Sequence, residues 1–173
     1  MKIISIDPGY ERLGIAVLEK ELKNPAFAKS YGVAKKEKLI FSECFKTSST
    51  LPHHERLSLI GNHIREIIKK HKPEALATEK LFFSGNQKTA MLVAEARGVI
   101  LYTASSLGLE IFEYTPNNVK IAITGYGRSE KRQIISMLEK LIVLPPSLKL
   151  RRAEDDEFDA IAIGLCHFAS MRK

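Results

Sequence analysis

Residues 2–19 read KIISIDPGYERLGIAVLE, and this stretch decides the fold. KIISID (2–7) is an apolar, isoleucine-rich run suited to a buried strand. Pro8-Gly9 then turns the chain, and LGIAVLE (13–19) returns as a second strand. A hairpin of this kind leaves Asp7 at the carboxyl end of the first strand. A third strand is predicted at KLIFSECF (38–45), although Leu39, Phe41, Glu43 and Phe45 do not alternate cleanly with their neighbours. Between the second and third strands, residues 20–36 are lysine-rich and contain Pro25 and Gly32, which predicts an exposed excursion or long hairpin loop.

Beyond the hairpins the period changes. Leu57, Ile60, Ile64, Ile67 and Ile68 fall at helical spacing and predict a helix over 53–71. A short strand at 74–79 follows Pro73, then a long helix over 87–107 that Gly108 ends. EIFEY (110–114) is the fifth strand. Pro116 opens a short helix to about residue 123, TGYGRS (124–129) is a turn, and another helix runs over 129–142. Pro145 and Pro146 stop it, a basic stretch follows at 147–152, and the last helix covers 155–170. Hairpin strands followed by alternating helix and strand predict an α/β fold: a mixed five-stranded sheet with helices on both faces. With no internal repeat or low-complexity segment, residues 1–173 are expected to form a single domain.

Composition narrows the function classes. The formal net charge is +7 and the pI is about 9.4, which makes polyanions the first partner class to consider. The longest apolar runs are far below a membrane-spanning length, and the amino-terminal run meets Asp-Pro-Gly too early for a signal peptide. Cys44 and Cys166 are the only cysteines. Without a CxxC pair they predict reduced thiols in a cytoplasmic protein.

Against that basic background, RRAEDDEFDAIAIG (151–164) concentrates acids just before an apolar helix. Acids in a first turn favour the helix dipole by about 0.3–1 kcal/mol each, which accounts for Glu154 and Asp155 but poorly for Asp159, a full turn in. Asp156 and Asp159 share a helix face that continues into Ala160, Ala162 and Ile163. A carboxylate there is costly unless it is paired or coordinates a cation. Asp155 lies four before Asp159, so spacing alone leaves Asp155 and Asp156 both open. Asp7 and Glu79 stand at the carboxyl ends of predicted strands, where open α/β sheets place ligands. Acids converging on one cleft suit Mg²⁺ or Mn²⁺, and two such ions can clamp both oxygens of a phosphodiester displacement.

Six motifs occur in an order that resembles the RuvC-type Holliday-junction resolvases of the ribonuclease-H-like superfamily. They are IDPG (6–9), EKLFF (79–83), EARGVIL (95–101), EYTPNNVK (113–120), GRSEKRQI (127–134) and DEFDAIAIG (156–164). The resemblance spans nearly the whole chain except 20–36. It implies a ribonuclease-H-like fold and a structure-specific endonuclease that resolves four-way DNA junctions by metal-dependent symmetric hydrolysis in recombination and repair. It also implies a homodimer, with branch-migration machinery as a further partner. The family's acidic tetrad falls on Asp7, Glu79, Asp156 and Asp159, with one or two Mg²⁺ per site and Mn²⁺ as substitute, and so selects Asp156 over Asp155. Phe82 matches the aromatic used at the junction crossover, with Phe83 adjacent. Lys120 and Lys131 match backbone-binding lysines, and Arg97 is expected to organise structure near the 87–107 helix, the candidate dimer interface, rather than to catalyse. The competing readings are another ribonuclease-H-fold nuclease, acting in RuvX-like RNA processing or on RNA–DNA hybrids, and a non-catalytic junction-binding protein. The excursion at 20–36 and the basic linker at 145–153 depart from the family pattern.

Overall fold

The computed structural model describes residues 1–21, 37–81, 87–144 and 155–171, with no account of the side chains of 87–89. Five strands form one sheet: β1 (Lys2–Asp7), β2 (Arg12–Lys20), β3 (Glu37–Lys46), β4 (Ala75–Glu79) and β5 (Glu110–Tyr114). Their order is β3-β2-β1-β4-β5. β1, β2 and β3 pair antiparallel, whereas β4 pairs parallel with β1 and with β5. Among the described residues the helices are α1 (His53–His71), α2 (Gln87–Ser106), α3 (Pro116–Thr124), α4 (Lys131–Leu141) and α5 (Asp155–Ser170). The mixed sheet is therefore as predicted, with element ends within about two residues.

Alternation along the strands feeds two cores. Ile4, Ile6, Ile15 and Val17 face α1 and α2, packing with Ile60, Ile64 and Ile100. Ile3, Ala16 and Leu18 face the other way, toward α3, α4 and α5, and meet Ile134, Leu138, Ile161 and Phe168. Helices cover both faces, so β1 is buried on both sides, which explains its continuous apolar run. The uneven alternation of 39–45 also has a cause. Val17 pairs with Phe41 but Leu18 pairs with Leu39, so Ile40 is the extra residue of a bulge and is 42% exposed.

Local signals fix the helix ends. Thr115 caps α3 through a box with Asn118, and Pro116 supplies its first turn. Gly108 follows α2 with φ 81°, the left-handed geometry glycine adopts freely. α5 crosses the sheet closest of all. A Cβ on Gly14 of β2 would stand 2.0 Å from the backbone oxygen of Asp156, and one on Gly164 would stand 2.5 Å from Leu18 Cδ1. Two glycines thus let the last helix sit directly on the strands. Residues 22–36 of the excursion and the whole basic linker at 145–153 lie outside the described residues.

Candidate active site

β1 and β4 run parallel, so Asp7 and Glu79 end neighbouring strands on the same side of the sheet. In the β1–β2 pairing Asp7 lies opposite Gly14. The missing Cβ of Gly14 admits the Asp156 backbone, so the first turn of α5 comes down beside Asp7. Asp159, one turn later, lies on the same helix face. Carboxylates from two strands and one helix are thereby drawn into one field.

Electrostatics records that proximity. Asp7 is pushed up from 3.8 to about 7, first by burial and then by the charges of Asp159, Glu79 and Asp156, with Lys131 opposing. Burial also raises Glu79, followed by Asp159, while Lys120 acts in the opposite sense. A group of acids raises one another in this way when too little positive charge stands among them.

The two helix carboxylates carry protein cations. Arg12, the first residue of β2, reaches Asp156 Oδ2 with Nε at 2.8 Å and Nη2 at 2.5 Å. The Cys44 thiol lies 3.5 Å from the same oxygen. Lys131, the first residue of α4, donates to Asp159 Oδ2 at 2.9 Å and lies 3.4 Å from Asp155 Oδ2. Burial lowers Lys131, but its bond to Asp159 and the charges of Asp159 and Asp155 outweigh this and raise it overall. Among the described residues no three metal-ligating side chains already stand in one coordination sphere. The donor set nevertheless fits a hard divalent cation, being all carboxylate oxygen and short of positive charge at Asp7 and Glu79. Asp156 and Asp159 would join it by exchanging their ammonium and guanidinium partners.

The surrounding contacts hold this arrangement. Arg97 of α2 donates Nε to the Glu79 backbone oxygen at 3.3 Å and pairs with Glu113, tying the end of β4 to β5. Arg97 therefore organises structure beside Glu79. The β1–β2 turn is held from the other side: Thr47 Oγ1 donates to Tyr10 O at 3.0 Å, and Arg56 donates to Thr47 Oγ1 at 2.9 Å. The Arg56 guanidinium also stacks 3.6 Å from the centre of the Tyr10 ring. Arg56 is 3% exposed, so it is an internal brace.

Of the other predicted site residues, Lys120 is half-buried on α3 and near enough to Glu79 to act on its charge. Lys131 faces the acids directly. Phe82 and Phe83 lie outside the described residues. Arg12, Cys44 and the Arg56–Tyr10 brace were not anticipated. Arg12 and Asp156 are 144 residues apart, and neither sits in a local pattern that announces the other.

Comparisons with known proteins agree across the chain. The family model described as Crossover junction endodeoxyribonuclease RuvC matches residues 3–167. A protein of that name from Desulfitobacterium hafniense is 39% identical over 171 residues, covering 99% of this chain and 94% of the relative. The Thermosipho melanesiensis protein of the same name is 42% identical over 166 residues, covering 96% of each chain. Among solved structures, Thermus thermophilus RuvC in complex with Holliday junction substrate superposes with a TM-score of 0.84. It is 30% identical, with 99% of this chain and 95% of that one covered.

Proposed function

This chain belongs to the RuvC family of crossover junction endodeoxyribonucleases, and from that premise we propose that Asp7, Glu79, Asp156 and Asp159 are its cleaving centre. The enzyme is a divalent-metal-dependent nuclease that resolves four-way DNA junctions. The observation that carries the assignment is Asp7, whose carboxyl is raised by burial and by the other three acids together. We read the metal as Mg²⁺, with Mn²⁺ as substitute, because every donor is a carboxylate oxygen. The chain acts as one catalytic domain.

Asp7, Glu79, Asp156 and Asp159 would hold the metal. When bound, such an ion lowers the pKa of a water and stabilises charge on the reacting phosphoryl oxygens. The chain's own side chains do the rest. Arg97 fixes the end of β4 so that Glu79 keeps its place beside Asp7. The Arg56–Thr47–Tyr10 brace fixes the turn that follows Asp7. Lys120 and Lys131 border the acids, where each can meet a backbone phosphate without reading sequence. Phe82, or Phe83 beside it, would supply an uncharged stacking face at the crossover.

Two symmetric nicks need two centres facing one junction, so the working form is a two-fold homodimer. The outer face of α2 supports its use as the interface. Met91 is 64% exposed and Tyr102 71% exposed, with exposed Gly98 between them. Branch-migration machinery is the further partner, and the compartment is the cytoplasm, in keeping with two cysteines that form no disulfide. Among the described residues no helix is long and apolar enough to cross a membrane.

Glu79→Gln and Asp159→Asn test the centre. Each is expected to abolish junction cleavage while junction binding, read by fluorescence anisotropy, changes little. Cleavage near the wild-type rate in either variant would remove that residue from the centre. Parallel cleavage of an RNA–DNA hybrid separates the resolvase from an RNA-directed activity.

A further inference from the structure

Asp156 Oδ2 is crowded by protein groups. Arg12 approaches it with both Nε and Nη2, and the Cys44 thiol stands at its edge. That oxygen cannot serve a cation fully while two guanidinium N–H groups point at it. Arg12 is held differently from the buried braces of the site. Its side chain is 46% exposed, whereas Arg56 is enclosed, so parting Arg12 from Asp156 would not open the core. Its backbone opens β2, where the turn that follows Asp7 ends, and its carbonyl packs against Gly9 of that turn. A guanidinium released there is placed to meet a phosphate, for which its fork geometry is suited.

We propose that Arg12 is a stand-in cation. It neutralises Asp156 in the metal-free enzyme, yields Oδ2 when a divalent ion loads, and once freed grips a phosphate of the bound junction. Metal and DNA are then positively coupled through one side chain, because each favours the state in which Arg12 has left Asp156. This rests on the reading of Asp156 as a metal ligand. It adds an exchange that makes the free enzyme a poor metal binder and the DNA complex a better one.

Calorimetric titration of Mn²⁺ into the chelator-stripped full chain, without DNA, reads the first half of the exchange. Arg12→Ala is expected to bind Mn²⁺ about three- to tenfold more tightly than wild type, the range that follows from removing a partly exposed but doubly bonded ion pair. Arg12→Lys should fall between them. Arg128→Ala, which removes an exposed charge elsewhere, controls for net charge and should leave the affinity unchanged. The second half is read by junction binding with Ca²⁺ or with chelator: the gain in affinity conferred by Ca²⁺ should be smaller in Arg12→Ala than in wild type. Asp156→Asn separates the two layers of the argument. If it leaves Mn²⁺ affinity unchanged, Asp156 is not a ligand and the exchange falls with that reading. If Asp156→Asn weakens Mn²⁺ binding but Arg12→Ala does not tighten it, the ligand reading stands and the exchange is overturned. An equal Ca²⁺-dependent gain in both proteins overturns the coupling to DNA.

Discussion

Replacing Asp7 with Asn should stabilise the metal-free protein, and do so increasingly as pH rises. The Asp7 carboxyl is raised from 3.8 to about 7 by burial and by Asp159, Glu79 and Asp156. It therefore holds its proton more tightly in the native state than in the unfolded chain. The stability this contributes is fully present below about pH 4 and is lost as pH climbs through about 7. At about 1.4 kcal/mol per pH unit, the difference sets a ceiling of about 4 kcal/mol. Because the carboxyl is partly exposed and its neighbours are screened, roughly 2–3 kcal/mol is the working expectation. Asn lacks the ionisation and escapes this penalty. The assay is urea unfolding of both proteins with chelator present, from about pH 5 to about pH 8, comparing the variant-minus-wild-type difference so that other titrating groups cancel. That difference should grow toward the variant up to about pH 7 and flatten above it. Curves that stay parallel over the whole range would refute the view that Asp7 sits in an uncompensated field of acids. Added Mg²⁺ should stabilise wild type at the alkaline end and leave Asp7→Asn little changed.

Three further outcomes follow from the geometry. Gly14→Ala would drive a methyl group into the Asp156 backbone; overpacking should cost about 1–3 kcal/mol in unfolding experiments. Because a shift of about 1 Å at a reacting centre costs roughly a hundredfold, junction cleavage in this variant should fall further than stability does. Lys131→Ala should weaken junction binding for arms of any sequence and make the log–log salt slope shallower by about one; an unchanged slope would restrict Lys131 to its pairing with Asp159. Tyr102→Glu, on the outer face of α2, should raise the concentration needed for dimerisation in sedimentation experiments and lower paired nicking without unfolding the chain. A wild-type dimer constant for this variant would move the interface off α2.

Most of the fold was legible because it is written in local patterns. The period changes from strand to helix at 53–71, and Pro116 and Gly108 mark helix ends by backbone chemistry alone. The bulge at Ile40 blurred the alternation of β3, and only its register with β2 explains why. In the proposed centre, Asp7 and Glu79 were candidates from strand-end placement, and Asp159 from a charge where apolar packing was due. Asp156 could not be told from Asp155 by spacing, since both positions can share a face with Asp159; the motif made that choice. The cations were not legible. Arg12–Asp156 and Lys131–Asp159 join residues 144 and 28 apart, and such pairings depend on how the helices settle on the sheet. Gly14 was the available hint, a residue without a side chain in an otherwise bulky strand, but its meaning needs the helix that lies over it.

The seating of α5 on Gly14 and Gly164 also bears on when activity arises during synthesis. A ribosome makes Asp7 and Glu79 early, and the hairpin that holds Asp7 can pair long before the last helix emerges. Asp156 and Asp159 arrive with α5, whose docking also brings Phe168 O to Lys20 Nζ at 2.7 Å, a contact spanning 148 residues. Until that helix lands, the strand carboxylates have no helical counterparts and the second core lacks its largest share, Ala160 to Phe168. On the proposed assignment of the four acids, a nascent chain would be unable to cut DNA until α5 docks, so the step that completes the second core would also arm the nuclease.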